Sequence, residues 1–99
     1  RSCDVGLGVP FNILSYSILT HIIAKHCDLE ADDFVYFMGN VHIYDDHVDS
    51  LKPQLSNPLY PFPTLKISTK HEEIDDYKMD DFTIENYVSN DKITMKMRT

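Results

Sequence analysis

A chain of 99 residues builds at most one small domain and buries only about two-thirds of the surface its unfolded form exposes. At 42% hydrophobic and 25% charged it has an ordinary globular composition, with no apolar run of about 20 residues that could span a bilayer, so a membrane protein is not expected. The 9 Lys and Arg against 16 Asp and Glu give a formal charge of -7, which repels polyanions at long range, argues against DNA binding and leaves any phosphate to a few local cations.

The opening Arg1-Ser2-Cys3-Asp4 has neither an initiator Met nor a signal peptide and reads as a cut within a longer protein. From Val9 to Cys27, Phe11, Leu14, Ile18 and Ile22 fall on one helical stripe, with Leu19 and Ile23 beside it. The width of that arc predicts a long, mostly buried helix. Pro10 suits its first position, where the missing N–H costs nothing, and Gly6 and Gly8 let the backbone before it turn tightly. That turn serves either packing alone or the reception of an anion or an electron-rich ring by the free N–H groups of the helix.

From Asp33 to Tyr44 the β-branched and aromatic content, without helical period, predicts a buried strand, and Gly39-Asn40 within it suggests a bulge or a close backbone approach. Beyond the bulge, the alternation of Val41 and Ile43 with His42 and Tyr44 sends the two polar-tipped rings to one face, where they can converge on one ligand. A short helix is expected from about Asp45 to Leu55, kinked or ended near Lys52 by Pro53. Asn57 to Pro63 is too proline-rich for a regular element. Two short strands follow, Thr64 to Thr69 and Phe82 to Tyr87, flanking an acidic stretch that reads as a solvated face. One long helix with several strands places the chain in the α+β class.

Metal binding is not expected. His21 and His26 lie five residues apart and cannot share a helix face, and His42 and His47 lack a third ligand. Gly6-Leu7-Gly8 lacks the context of a dinucleotide fingerprint. Two cysteines, Cys3 and Cys27, are too few for a disulfide framework. The residues that remain are polar groups beside apolar segments: Arg1, a planar fork for phosphate oxygens, Ser2 with its hydroxyl, Asp4, Asn12 with a donor and an acceptor for a base edge, and the pair His42 and Tyr44. They make a candidate nucleotide pocket.

The run Arg1-Ser2-Cys3-Asp4-Val5-Gly6-Leu7-Gly8-Val9-Pro10-Phe11-Asn12-Ile13 closely resembles the signature of thymidylate synthases. The likeness continues through Asp33-Phe34, Gly39-Asn40-Val41-His42-Ile43-Tyr44, His47, Pro61-Phe62-Pro63-Thr64-Leu65, Asp76-Tyr77, Asp81 to Tyr87 and Ile93 to Met97. It covers essentially the whole chain, as the C-terminal portion (1–99) of a single synthase domain, and Tyr60-Pro61-Phe62-Pro63 is similar to the wording of bifunctional synthases fused to a dihydrofolate reductase.

The resemblance implies an incomplete synthase fold, one long buried helix on part of a mixed sheet. It implies methylation of dUMP at C5, with 5,10-methylenetetrahydrofolate as cosubstrate and no metal, in a cytoplasmic homodimer. On the matching positions it assigns Arg1 and Ser2 to the 5'-phosphate, Asn12 to the uracil edge, and His42 and Tyr44 to the ribose. Asp4, Leu7, Gly8 and Phe11 fall to the folate, and Asp4 and Asn12 are the catalytic positions retained. The nucleophilic cysteine of the family belongs to a Pro-Cys-His segment upstream of these residues, and Cys3 corresponds to a packed, noncatalytic cysteine. The 99 residues alone are therefore expected to be inactive and marginally stable, with strand edges and apolar surface exposed. Two features depart from the family: Pro53, and an Arg98-Thr99 end in place of the usual Ala-Val style of ending. The alternatives are a pyrimidine nucleotide hydroxymethylase using the same pocket and a noncatalytic dimerising or ligand-binding remnant.

Overall fold

The computed structural model describes residues 2–98. They form two compact units. One comprises Val35–Tyr60 with the described residues before Ser15 and after Val88; the other comprises Ser15–Phe34 and Pro61–Val88.

In the first unit, β1 (Cys3–Asp4) lies parallel to β2 (Val41–His42), with Cys3 opposite Val41 and Asp4 opposite His42. The ladder extends one bond to each side: Cys3 N–H donates to the Asn40 carbonyl at 2.7 Å and Val5 N–H to the His42 carbonyl at 3.0 Å. Gly39 and Asn40 form a bend leading into β2 rather than a bulge. The long buried strand expected over Asp33 to Tyr44 is not formed. Only two residues of it find a ladder partner, since β1 offers no more, and Val35 and Phe37 are left 68% and 92% exposed. Backbone groups without a partner strand stay with solvent, and their side chains with them.

After β2 the chain tightens into a 3-10 turn at Asp45–His47, one turn of α-helix, α2 (Val48–Leu51), and a second 3-10 stretch at Lys52–Ser56. The α-helix ends just before Lys52, as the position of Pro53 predicts: proline cannot donate within a helix but is tolerated at the start of the next turn, where no N–H is required.

In the second unit, β3 (Thr64–Ile67) and β4 (Phe82–Glu85) pair antiparallel. The register sets Leu65 opposite Ile84 and Ile67 opposite Phe82, giving the ladder one apolar face, while Lys66 reaches Glu85 at 3.4 Å on the other. The expected single mixed sheet is thus replaced by two separate two-stranded sheets, one parallel and one antiparallel.

The predicted long helix forms as α1 (Gly8–His26), beginning one residue earlier than its pattern suggests, so that Pro10 is its third residue and still within the first turn, where N–H groups have no helical partner. Lys25 and His26 occupy the last turn, favourable to the negative end of the dipole. The stop is made by Asp28 in the left-handed region (φ 57°), with Leu29 N–H returning to the Ala24 carbonyl at 2.8 Å and the Asp28 carboxylate held by Lys70 at 2.7 Å. The burial expected for α1 is not found. Ala24 is its only buried residue, while Phe11, Leu14, Leu19 and Ile23 stay 44–69% exposed, because an apolar arc that wide needs more covering surface than 99 residues supply. No helix among the described residues is long and apolar enough to cross a membrane.

Candidate functional site

The first unit brings two distant stretches of sequence side by side. Because β1 runs parallel to β2, Asp4 sits next to His42, and the turn into α1 starts from the same edge. Asp4 shapes that turn by accepting the Gly6 N–H through Oδ1 at 3.2 Å, a local bond typical of Asp in turns. Gly8 packs close behind, where a Cβ would lie 3.3 Å from that of Asp4. The first residue of α1 is thus packed against the Asp4 side chain.

From β2 onward the polar rings form a series. His42 and Tyr44 meet edge to face with centroids 5.0 Å apart, and Tyr44 and His47 do the same at 5.5 Å. Arg98 holds its guanidinium carbon over the Tyr44 ring, 5.6 Å from the centroid, and pairs with Asp46 at 3.2 Å, so the last described residue reaches over this segment. His42 and Tyr44 are half-buried, as is Asn12 on α1; Ser2 is exposed. None of Ser2, Asn12, His42 or Tyr44 spends its side-chain polar group on a hydrogen bond to another described residue.

The remaining predicted residues are placed as follows. Leu7 and Gly8 are half-buried, Leu7 lining a cavity of about 500 Å³ with Val5, Gly6, Pro10, Leu51 and Met95, while Phe11 is 69% exposed on the first turns of α1. Arg1 lies outside the described residues. Asn12 is not joined to His42 or Tyr44 by any hydrogen bond or ring contact. Cys3 is buried, 6% exposed, with Sγ 3.6 Å from the Tyr36 hydroxyl, and Cys27 is an exposed thiol. Among the described residues no group of three or more His, Cys, Asp or Glu side chains could hold a metal ion.

Comparison with known proteins gives a match over residues 1–99 to the family described as thymidylate synthase. The chain belongs to the thymidylate synthase family. It is 55% identical over 97 residues to the bifunctional dihydrofolate reductase-thymidylate synthase of Plasmodium chabaudi, covering 98% of this chain and 17% of that protein. It is 52% identical to the thymidylate synthase of Saccharomyces cerevisiae, covering 98% and 32%, and 52% identical to a bifunctional dihydrofolate reductase-thymidylate synthase of Arabidopsis thaliana, covering 98% and 17%. The chain thus spans between about a sixth and a third of the length of these thymidylate synthase relatives.

The burial of His47 in this thymidylate synthase segment is not legible in the sequence. His47 is wholly buried, its Nε2 at 2.6 Å from the Lys96 carbonyl and its Nδ1 at 4.0 Å from Asp4. Its position, after the acidic pair Asp45-Asp46, carries no hydrophobic periodicity that would place it inside.

Proposed function

We propose that these residues are the C-terminal portion of a thymidylate synthase domain that reductively methylates dUMP to dTMP with 5,10-methylenetetrahydrofolate. The observation that supports it most directly is the parallel pairing of β1 with β2, which sets the Ser2-Cys3-Asp4 motif against the His42-Ile43-Tyr44 motif across a gap in sequence. The side chains of Ser2, Asn12, His42 and Tyr44, which make no hydrogen bond to another described residue, lie within this unit.

In this reading a cysteine supplied by upstream sequence adds to C6 of the base, which makes C5 a nucleophile and puts negative charge on the neighbouring carbonyl. The chain's residues bind and orient. Asn12 hydrogen-bonds the uracil edge, steadying that charge and rejecting cytosine, whose amine reverses the pattern of donors and acceptors. His42 and Tyr44 hold the ribose hydroxyl, and Ser2 with Arg1 holds the 5'-phosphate. The Asp4 carboxylate accepts from the pterin, with Leu7, Gly8 and Phe11 forming part of the folate surface. Cys3 is not the nucleophile: its sulfur is buried and engaged with Tyr36. The working enzyme is a homodimer of full-length chains acting in the cytoplasm, and the 99 residues by themselves turn nothing over.

The test is incubation of the full-length protein with dUMP and methylenetetrahydrofolate, with the product identified by mass. Thymidylate is expected; a hydroxymethylated nucleotide would replace this reading with that of a hydroxymethylase. The isolated chain serves as control, and Cys3-dependent product from it would overturn the assignment of the nucleophile.

A further inference from the structure

Among the described residues one large side chain is completely shut off from solvent, and it is the imidazole of His47. A buried polar ring is costly unless its nitrogens are partnered. Nε2 is: it lies 2.6 Å from the carbonyl oxygen of Lys96, and since a carbonyl can only accept, Nε2 carries the hydrogen. Nδ1 is not. It has no hydrogen-bond partner, and it faces Oδ1 of Asp4 at 4.0 Å, too far for a hydrogen bond and near enough for a strong electrostatic influence. The backbone at Gly6 lies flush against the same nitrogen, where a Cβ would come within 2.7 Å, and the Gly6 N–H bonds the same Asp4 oxygen at 3.2 Å.

We propose that His47 is a positioning residue for Asp4, coupling the C-terminal segment at Lys96 to that carboxylate; the proposal rests on the thymidylate synthase reading for what Asp4 then does. The Lys96 carbonyl fixes the ring's rotation and leaves Nδ1 as the atom presented to Asp4. The orientation of Asp4 therefore depends on a ring that the Lys96 carbonyl holds in place. The two contacts sit on opposite sides of one rigid five-membered ring, so displacing Lys96 moves Nδ1.

The test uses the full-length protein. His47→Phe preserves the ring's bulk but removes both nitrogens, and His47→Gln restores a donor that can reach the Lys96 carbonyl. His47→Phe is expected to raise the KM for methylenetetrahydrofolate about tenfold, while the KM for dUMP changes less than about twofold. His47→Gln is expected to recover part of that loss. In an Asp4→Asn background His47→Phe should add little further, because its route to the ligand is gone. Equal rises in both KM values, or effects that add in full in the double variant, would reduce His47 to a packing residue and overturn the proposal. A readout independent of turnover is the nitrogen NMR spectrum of His47 in the full-length protein. Nε2 should carry the hydrogen, and the Nδ1 resonance should move on Asp4→Asn substitution; an unmoved Nδ1 resonance overturns the coupling even if the enzyme proves to catalyse another reaction.

Discussion

The ring of His42 stands edge-on to the ring of Tyr44, with centroids 5.0 Å apart and planes at 78°. The contact follows from a two-residue alternation that sends both side chains to one side of the chain as it leaves β2, and each ring limits the rotation of the other. A pair held in this way can present an imidazole nitrogen and a phenol hydroxyl to one sugar hydroxyl without ordering them anew on binding. Tyr44→Phe, which deletes only the hydroxyl, should therefore raise the KM for dUMP roughly fivefold, the worth of about 1 kcal/mol for one hydrogen bond. His42→Ala, which also frees Tyr44 to rotate, should cost more. Steady-state kinetics of the full-length enzyme checks both, and an unchanged KM in Tyr44→Phe removes the phenol from the binding site.

Asn12 projects from α1 with its amide unengaged by any other described side chain, and so keeps one donor and one acceptor for a ligand. Uracil presents the complementary pattern and cytosine its reverse. Asn12→Ala should lower the ratio of kcat/KM for dUMP over dCMP by at least about tenfold, chiefly by loss of activity on dUMP, because a site built to pair a polar edge discriminates strongly only while its partner is present. Competition assays with the two nucleotides measure this ratio directly.

Much of the local geometry around the candidate site could be read from the sequence because each part is decided nearby. The alternation around His42, the glycine turn before Asn12 and the proline that stops α2 are each decided within a few residues, and each behaves in the structure as local chemistry requires. What could not be read depends on partners distant in sequence. The strand expected from Asp33 shrank to Val41–His42 because strand formation needs a ladder, and only Cys3–Asp4 provides one. The breadth of the apolar arc on α1 announced burial, but periodicity reports which face seeks cover and not whether cover exists. The burial of His47 was not legible for the opposite reason: a polar residue among acidic neighbours is shut away by Gly6 and the backbone at Lys96, contacts that no spacing rule foretells.

Asp81 ties the acidic connector to the β3–β4 hairpin, and its carboxyl should set an acid limit on that connection. Its Oδ2 accepts the Lys78 N–H at 2.8 Å and meets His71 Nε2 at 2.8 Å, while its backbone carbonyl accepts Ser68 N–H at 2.8 Å. The Lys78 hydrogen bond first, and then that of His71, hold the Asp81 carboxyl below the ordinary carboxylate value. A depressed value in the folded protein means that the charged form stabilises the fold above the unfolded carboxyl value, and that this contribution disappears as pH falls through the lower, folded one. Asp81→Asn should therefore be less stable than the parent near neutral pH, with the difference shrinking steadily below about pH 4. Hydrogen exchange at the Lys78 amide, followed against pH in both proteins, reads the local connection; a difference that persists undiminished in acid would mean that the carboxylate charge is not its source.

On the proposed reading, Arg98 bears on how nucleotide enters the site. Its guanidinium lies 5.6 Å from the centroid of the Tyr44 ring and 3.2 Å from the Asp46 carboxylate, so the end of the chain covers one of the two rings assigned to the ribose. Neither contact is strong alone: an exposed ion pair contributes up to about 1 kcal/mol and an exposed cation–π contact about 0.5–1 kcal/mol. Together they favour a covered Tyr44 by an amount that ligand binding must overcome. Arg98→Ala should consequently lower the KM for dUMP, by a factor of roughly three to ten, and make it less sensitive to salt, since screening already weakens the Asp46 pair in the parent protein. Arg98→Lys keeps the charge but loses the forked guanidinium and should fall between the two. A rise in the KM for dUMP on Arg98→Ala would reverse the assignment, placing the guanidinium among the groups that hold the nucleotide in place of those that cover its seat.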